Sequence, residues 1–163
     1  MPPPHQLALT SVTSHLGRRM EIRELELPGL LHIIPRKWGD DRGFFAETFR
    51  EDKLAESGFT RKFVQDNQSL SAEVGTLRGL HFQTPPMAQD KLIRVVRGSI
   101  LDVAVDIRAG SPKFGQHVAV ELSAENFQQL LVPAGFAHGF VTLEPDTEAV
   151  SYTHLTLPTS IQG

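Results

Sequence analysis

Apolar and polar residues along this chain alternate with a period of two far more often than they recur at helical spacing. In "MEIRELELPGLLHIIP" the positions Ile22, Leu25 and Leu27, followed by the apolar run over residues 30–34, predict two short strands divided at Pro28-Gly29. "DDRGFFAETF" reads as a turn leading into a strand with Phe45 and Glu47 on one face. "REDKLAESGF" carries helix formers and places Gly58 where a C-terminal cap belongs, which predicts one short helix. From Phe63 onward the pattern is strand after strand. "LIRVVRG" and "SILDVAVDIR" read as a hairpin turning at Arg97-Gly98-Ser99, and in the second run Leu101, Val103, Val105 and Ile107 share a face opposite Asp102, Ala104 and Asp106. "HVAVELS", "QQLLVP" and "GFVTLE" follow, separated by turn-rich breaks. Many closely spaced short strands with one helix predict an all-β, antiparallel sandwich or closed barrel.

Composition narrows the function classes without naming one. A chain of 163 residues fits one domain with a real core. A net charge of −3 gives no basic surface for nucleic acid or anionic membrane, and no apolar run nears the ~20 residues a bilayer span needs. The absence of cysteine excludes disulfides and thiolate chemistry. Residues 1–19, rich in Pro, Ser and Thr, read as a disordered leader without a secretory pattern, which makes the cytoplasm the expected compartment. The domain is expected over residues 20–152, and residues 153–163 read as a tail of a different character.

Candidate chemistry centres on "GTLRGLHFQTPPMAQDKLIRVVRGSI", where His81 and Lys91 stand on neighbouring predicted strands. Arg78 and His81 have opposite parity in a regular strand, but Gly79 between them permits a bulge that re-aims one of the two. A metal site is disfavoured: position 83 is Gln, no His-x-His pair occurs in the chain, and His138 in "PAGFAHGF" stands alone. Without a metal, His, Lys, Arg and Tyr in a barrel suit proton removal beside a carbonyl. Histidine titrates near ~6.5 and accepts a proton at neutral pH. Lysine or arginine steadies the enolate oxygen. A tyrosine across the pocket could return the proton to the other face, and Tyr152 is the sole tyrosine.

The blocks "DDRGFFAETF", "FVQDNQSLS", "GTLRGLHFQTPPMAQDKLIRVVRGSILDVAVDIR", "SPKFG" and "LSAENFQQLLVPAGFAHGFVTLE" resemble, in order and near spacing, the dTDP-4-dehydrorhamnose 3,5-epimerase family. The resemblance runs from Met20 to Tyr152. It implies a cupin-type jelly-roll barrel, cofactor-free and metal-free, assembled as a homodimer. It implies a dTDP-4-keto-6-deoxy-hexose substrate inverted at C3 and C5 in deoxysugar biosynthesis. By resemblance His81 is the general base, Tyr152 the general acid, and Lys91 the group that steadies the enolate oxygen. Arg78 would bind the sugar or diphosphate, His138 would line the pocket, and Asp102 would support Lys91 from the next strand. Arg42, Glu47, Gln65 and Asn67 match positions used around the nucleotide, with part of the first block reaching into the partner subunit's site. After Tyr152 the family pattern stops: no acidic residue follows Glu148, so the aspartate expected to orient the base is missing, as in a truncated chain or one joined to a foreign end. Other outcomes for the same pocket are inversion at one carbon, keto migration, or sugar-nucleotide binding without catalysis.

Overall fold

A computed structural model describes residues 19–154. The expected leader before Arg19 and the tail after His154 lie outside the described residues. Three antiparallel sheets account for the strands. The largest has six strands in the order β1 (Glu21–Glu24), β2 (Leu31–Ile34), β10 (Gln129–Val132), β7 (Lys91–Arg97), β12 (Thr147–Thr153) and β5 (Gln65–Ser71). A four-stranded sheet runs β6 (Leu77–His81), β11 (Phe136–Thr142), β8 (Ser99–Asp106), β9 (His117–Ser123). A ribbon of β3 (Arg36–Asp40) and β4 (Gly43–Glu47) stands apart. This is the all-β antiparallel architecture that the alternation predicts.

Both faces of the larger sheet are covered, which explains the apolar runs in its middle strands. All four residues of β10 are buried. On the inner side Leu130, Val132, Ile93 and Val95 pack against Ile100, Ala104, Leu122 and Phe136. On the outer side Leu31, Ile33, Leu92 and Leu131 pack under Leu54 and Phe59. Leu54 belongs to the single helix among the described residues, α1 (Glu51–Glu56), which ends where the sequence predicts. The Gly58 N–H bonds the Ala55 carbonyl at 3.0 Å and the Phe59 N–H bonds the Leu54 carbonyl at 3.0 Å, the paired cap that a glycine at φ +93° permits. That cap seats Phe59 on Leu54, so one turn of chain closes the outer core.

The expected hairpin at Arg97-Gly98-Ser99 does not form. β7 pairs with β10 and β12, while β8 pairs with β11 and β9. Gly98, at φ +74°, instead carries the chain from one sheet to the other. A Cβ there would collide with Thr147 of β12. Glycine marks the bend correctly; the direction of the bend follows from inner faces that must meet each other across the core. The face division of β8 holds, but the inward side carries the acids: Asp102 and Asp106 are fully buried with Ile100 and Ala104, whereas Leu101, Val103 and Val105 are half-buried outside.

Candidate active site

Between the two main sheets lies a cavity of about 470 Å3, and His81 and Lys91 both line it. The wall from the smaller sheet supplies Arg78, His81 and His138; the wall from the larger sheet supplies Lys91, Ile93, Ser69 and Ser151.

Arg78 and His81 share this cavity because β6 is bulged. Phe140 pairs with Arg78 and His138 pairs with His81, so Gly79 and Leu80 on β6 oppose Gly139 alone on β11. One extra residue reverses the parity and turns both side chains inward. The two strands touch through glycine: a Cβ on Gly79 would stand 2.6 Å from Gly139 Cα, and one on Gly139 would stand 2.7 Å from the Arg78 carbonyl oxygen. Arg78 is then fixed by its Nε donating to Ser71 Oγ at 3.1 Å and its guanidinium donating to the Leu70 carbonyl at 3.2 Å.

Behind His81, on the paired position of β11, His138 shares a 2.7 Å hydrogen bond between its Nε2 and Asp102 Oδ1. Both groups are buried. A carboxylate accepts, which places the hydrogen on Nε2 and fixes the ring. Asp102 Oδ2 has no hydrogen-bond partner. Lys91 senses that negative charge across the cavity. Burial pulls the lysine below its ordinary value, and attraction to Asp102 opposes the fall. The expected neighbourhood of Asp102 and Lys91 is therefore present, and Asp102 also anchors His138, a pairing with no local sequence signal because 36 residues separate the two.

Gln65 and Asn67 stand on the same face of β5 as the cavity-lining Ser69, joined by a 3.1 Å bond from Gln65 Nε2 to Asn67 Oδ1. They extend the wall of the larger sheet without entering the cavity itself. Arg42 and Glu47 lie on the β3–β4 ribbon, beside other hollows lined by Trp38, and do not reach His81 within this chain. Arg42 is bound to Asp40 at 2.5 Å, which holds the Asp40 carboxyl below its ordinary range.

Tyr152 is not at this cavity. Its cross-strand partner is Leu92, and both belong to the outer core with Phe63. Arg94 Nε donates to its hydroxyl at 3.3 Å on that outer side. Strand parity decides the matter: Ser151, paired with the cavity-lining Ile93, turns inward, so residue 152 turns away. Tyr152, expected to face the cavity as the acid, therefore stands outside it by one residue of register, and Ser69, Ile93, Phe140 and Ser151 are lining residues that the sequence patterns did not single out. Thr153 completes β12, and His154 Nδ1 accepts from the Asp90 N–H at 2.9 Å, so the strand runs just past the expected domain end.

With this geometry in view, a family model described as dTDP-4-dehydrorhamnose 3,5-epimerase matches residues 24–157. The chain belongs to that family. A Sinorhizobium fredii protein named dTDP-4-dehydrorhamnose 3,5-epimerase is 54% identical over 133 residues, covering 82% of this chain and 68% of its own. A Bacillus anthracis dTDP-4-dehydrorhamnose 3,5-epimerase solved with TDP and pyrophosphate superposes with TM-score 0.83 at 49% identity, over 86% of this chain and 80% of that one. A Legionella pneumophila dTDP-6-deoxy-D-glucose-3,5-epimerase solved with dTDP-4-keto-L-rhamnose superposes with TM-score 0.81 at 45% identity, over 86% of this chain and 74% of that one. The likeness to these epimerases fits the all-β fold as a cupin-type jelly roll.

Proposed function

We propose that this chain acts on dTDP-4-dehydro-6-deoxy-D-glucose, inverting C3 and C5 to give dTDP-4-dehydro-L-rhamnose in rhamnose biosynthesis. The observation that carries the reading is one cavity lined by His81, Lys91 and Arg78 in a chain of the epimerase family. Both hydrogens to be removed lie beside the C4 ketone. His81 takes one such hydrogen as a proton, the C–H pair becomes a C=C bond, and the carbonyl π pair moves to oxygen. Lys91 is the cation of the facing wall, and its ammonium stabilises that oxygen electrostatically. Burial serves this role, because a charge interaction gains strength where water is excluded. Arg78, held by Ser71, faces the sugar or diphosphate, and His138 on Asp102 presents a ring of fixed orientation to the substrate. Every step of this reaction uses side chains of the protein alone.

The position of Arg42 and Glu47 supports a homodimer. Both sit on the exposed β3–β4 ribbon with Phe44 and Phe45, 58% and 72% exposed, in a position to serve a second copy's cavity. Sedimentation should give twice the monomer mass, and Arg42→Ala should weaken substrate binding while leaving the mass unchanged. The compartment we assign is the cytoplasm; among the described residues no helix is long and apolar enough to cross a membrane.

In deuterated water, the protein should wash label into C3 and C5 of the substrate, with the rate unchanged by a chelator. Exchange at one carbon would replace this reading with single-carbon epimerisation. Binding of the nucleotide sugar without any exchange would leave a binding barrel.

A further inference from the structure

The β3–β4 ribbon that carries Arg42 and Glu47 pairs with neither main sheet. A two-stranded hairpin is marginally stable by itself, so its direction must be set by side chains that reach it from the body of the domain. Register divides the ribbon's own side chains between two faces. Arg36 pairs with Glu47 and Trp38 with Phe45, so these four share one face; Lys37 pairs with Ala46 and Gly39 with Phe44, which puts Lys37 and Phe44 on the other. The second face is the one that meets the body. Lys37 Nζ lies 4.2 Å from the Phe44 ring centre and 5.0 Å from that of Phe127, and the two rings meet edge to face at 5.4 Å. At the base of the ribbon the buried Gln129 donates from Nε2 to the Thr48 carbonyl at 2.9 Å.

Phe127 is mounted rigidly for this contact. It lies in the turn from β9 to β10 at φ +63°, a left-handed conformation that disfavours any residue with a side chain and persists where the surroundings over-determine it. Asn126 supplies that determination. Its Oδ1 accepts from the Ser123 and Gln128 N–H groups at 3.0 Å each, and its Nδ2 donates to the Glu121 carbonyl at 2.9 Å. The Phe127 N–H closes the turn on the Ser123 carbonyl at 3.0 Å. Glycine would meet the backbone demand more cheaply. Phenylalanine adds a ring, and that ring meets Phe44 and Lys37.

We propose that Phe127 is a positioning residue for nucleotide binding by the second copy in a homodimer. Through Lys37 and Phe44 it holds the ribbon in one orientation, with Arg42 at the tip and Glu47 on the opposite face, so that both groups arrive preorganised. The inference rests on the homodimer reading above, and adds that nucleotide affinity is set in part from a turn outside the cavity.

The test measures dTDP affinity by titration calorimetry, together with melting temperature, for the unaltered chain, Phe127→Gly, Phe127→Tyr, Arg42→Ala and the double variant Phe127→Gly/Arg42→Ala. Phe127→Gly removes the ring and suits the left-handed backbone. It should hold or raise the melting temperature while weakening dTDP by about 3- to 10-fold, the scale of ordering one or two interface side chains. A merely structural role would not move stability and affinity in opposite directions. Phe127→Tyr keeps the ring and should restore affinity. Arg42→Ala should weaken dTDP, and the loss in the double variant should fall short of the product of the two single losses, because both act through one ribbon. Unchanged affinity in Phe127→Gly beside a weakened Arg42→Ala, or full additivity in the double variant, overturns the positioning role and leaves the homodimer reading standing. Unchanged affinity in Arg42→Ala, or no dTDP binding by the unaltered chain, overturns the ribbon's place in a second copy's site and the inference with it.

Discussion

Two aspartates on the inward face of one strand, four positions apart on β8, are used in opposite ways. Asp106 is fully satisfied. Arg108 approaches it through Nε at 3.0 Å and through its terminal nitrogen at 2.7 Å, Ser111 Oγ donates at 2.7 Å, and the Arg108 N–H donates at 3.0 Å. Those bonds, led by the Arg108 side chain, hold the carboxyl well below the usual carboxylate range despite burial. Arg108 also donates to the Pro28 carbonyl at 3.0 Å and lies over the Phe136 ring, so this end of β8 locks two loops to the sheets. Asp102 has no arginine. It holds one imidazole, leaves an oxygen without a hydrogen bond, and faces a lysine that burial pulls below its ordinary value. The same residue type on the same face is completely paired at one end of the strand and incompletely paired where it borders the cavity residues His138 and Lys91. Perturbed, incompletely paired charges in a cavity are where catalytic groups are found.

The contrast can be broken hardest at the cavity end. His81→Ala should lower exchange and epimerisation by about 1,000-fold, the scale of a lost general base, with little change in melting temperature because the side chain borders open space. At the other end, Arg108→Met should cost on the order of 3 kcal/mol of stability by stranding a buried carboxylate, with activity per folded molecule preserved. Urea unfolding measures this. Its sign with pH is also fixed. A depressed carboxyl contributes stability that is present above its unfolded value and is lost as pH falls through the folded one, so the variant should show a flatter acid limb.

Asp102→Asn sharpens the comparison with a smaller effect. Under the proposed mechanism Asp102 positions His138 and supports the Lys91 charge, so the change should reduce kcat/KM by about 10- to 50-fold. It should also shift the alkaline limb of the pH profile downward, because the attraction that supports the Lys91 charge is lost. A purely structural role would leave that limb in place. Lys91→Met gives the smallest and opposite stability signature. A buried lysine with a lowered value penalises the fold while it is protonated, and the penalty fades as pH rises from the folded value toward about 10.4. Lys91→Met should therefore unfold at higher urea at neutral pH while losing activity, and Lys91→Arg should move the alkaline limb upward.

Much of the fold was legible residue by residue. The period-two alternation located β1, β2, β8, β9 and β11, and Gly58 located the end of α1 because a left-handed cap selects glycine. The β3 strand was missed because "RKWGD" has no alternation of its own and is held by its ribbon partner, Lys37 pairing with Ala46 and Trp38 with Phe45. At the site, the blocks around His81 and Lys91 announced themselves, and Gly79 announced the bulge that unites Arg78 with His81. The failure at Tyr152 was a failure of parity. Nothing local states which of two consecutive residues, 151 or 152, faces the core when both neighbours of the strand are chosen from elsewhere in the chain.

By itself the sequence determined most of the secondary structure, the family, and His81 and Lys91 as the candidate pair, because local periodicity, glycine conformations and ordered motifs are properties of neighbouring residues. Only the tertiary structure decided that Gly98 carries the chain between sheets, that Asp102 holds His138, and that the phenol stands outside. Those outcomes depend on which distant strands satisfy each other's backbone hydrogen bonds, and a shift of one residue in that pairing sends a side chain to the opposite face.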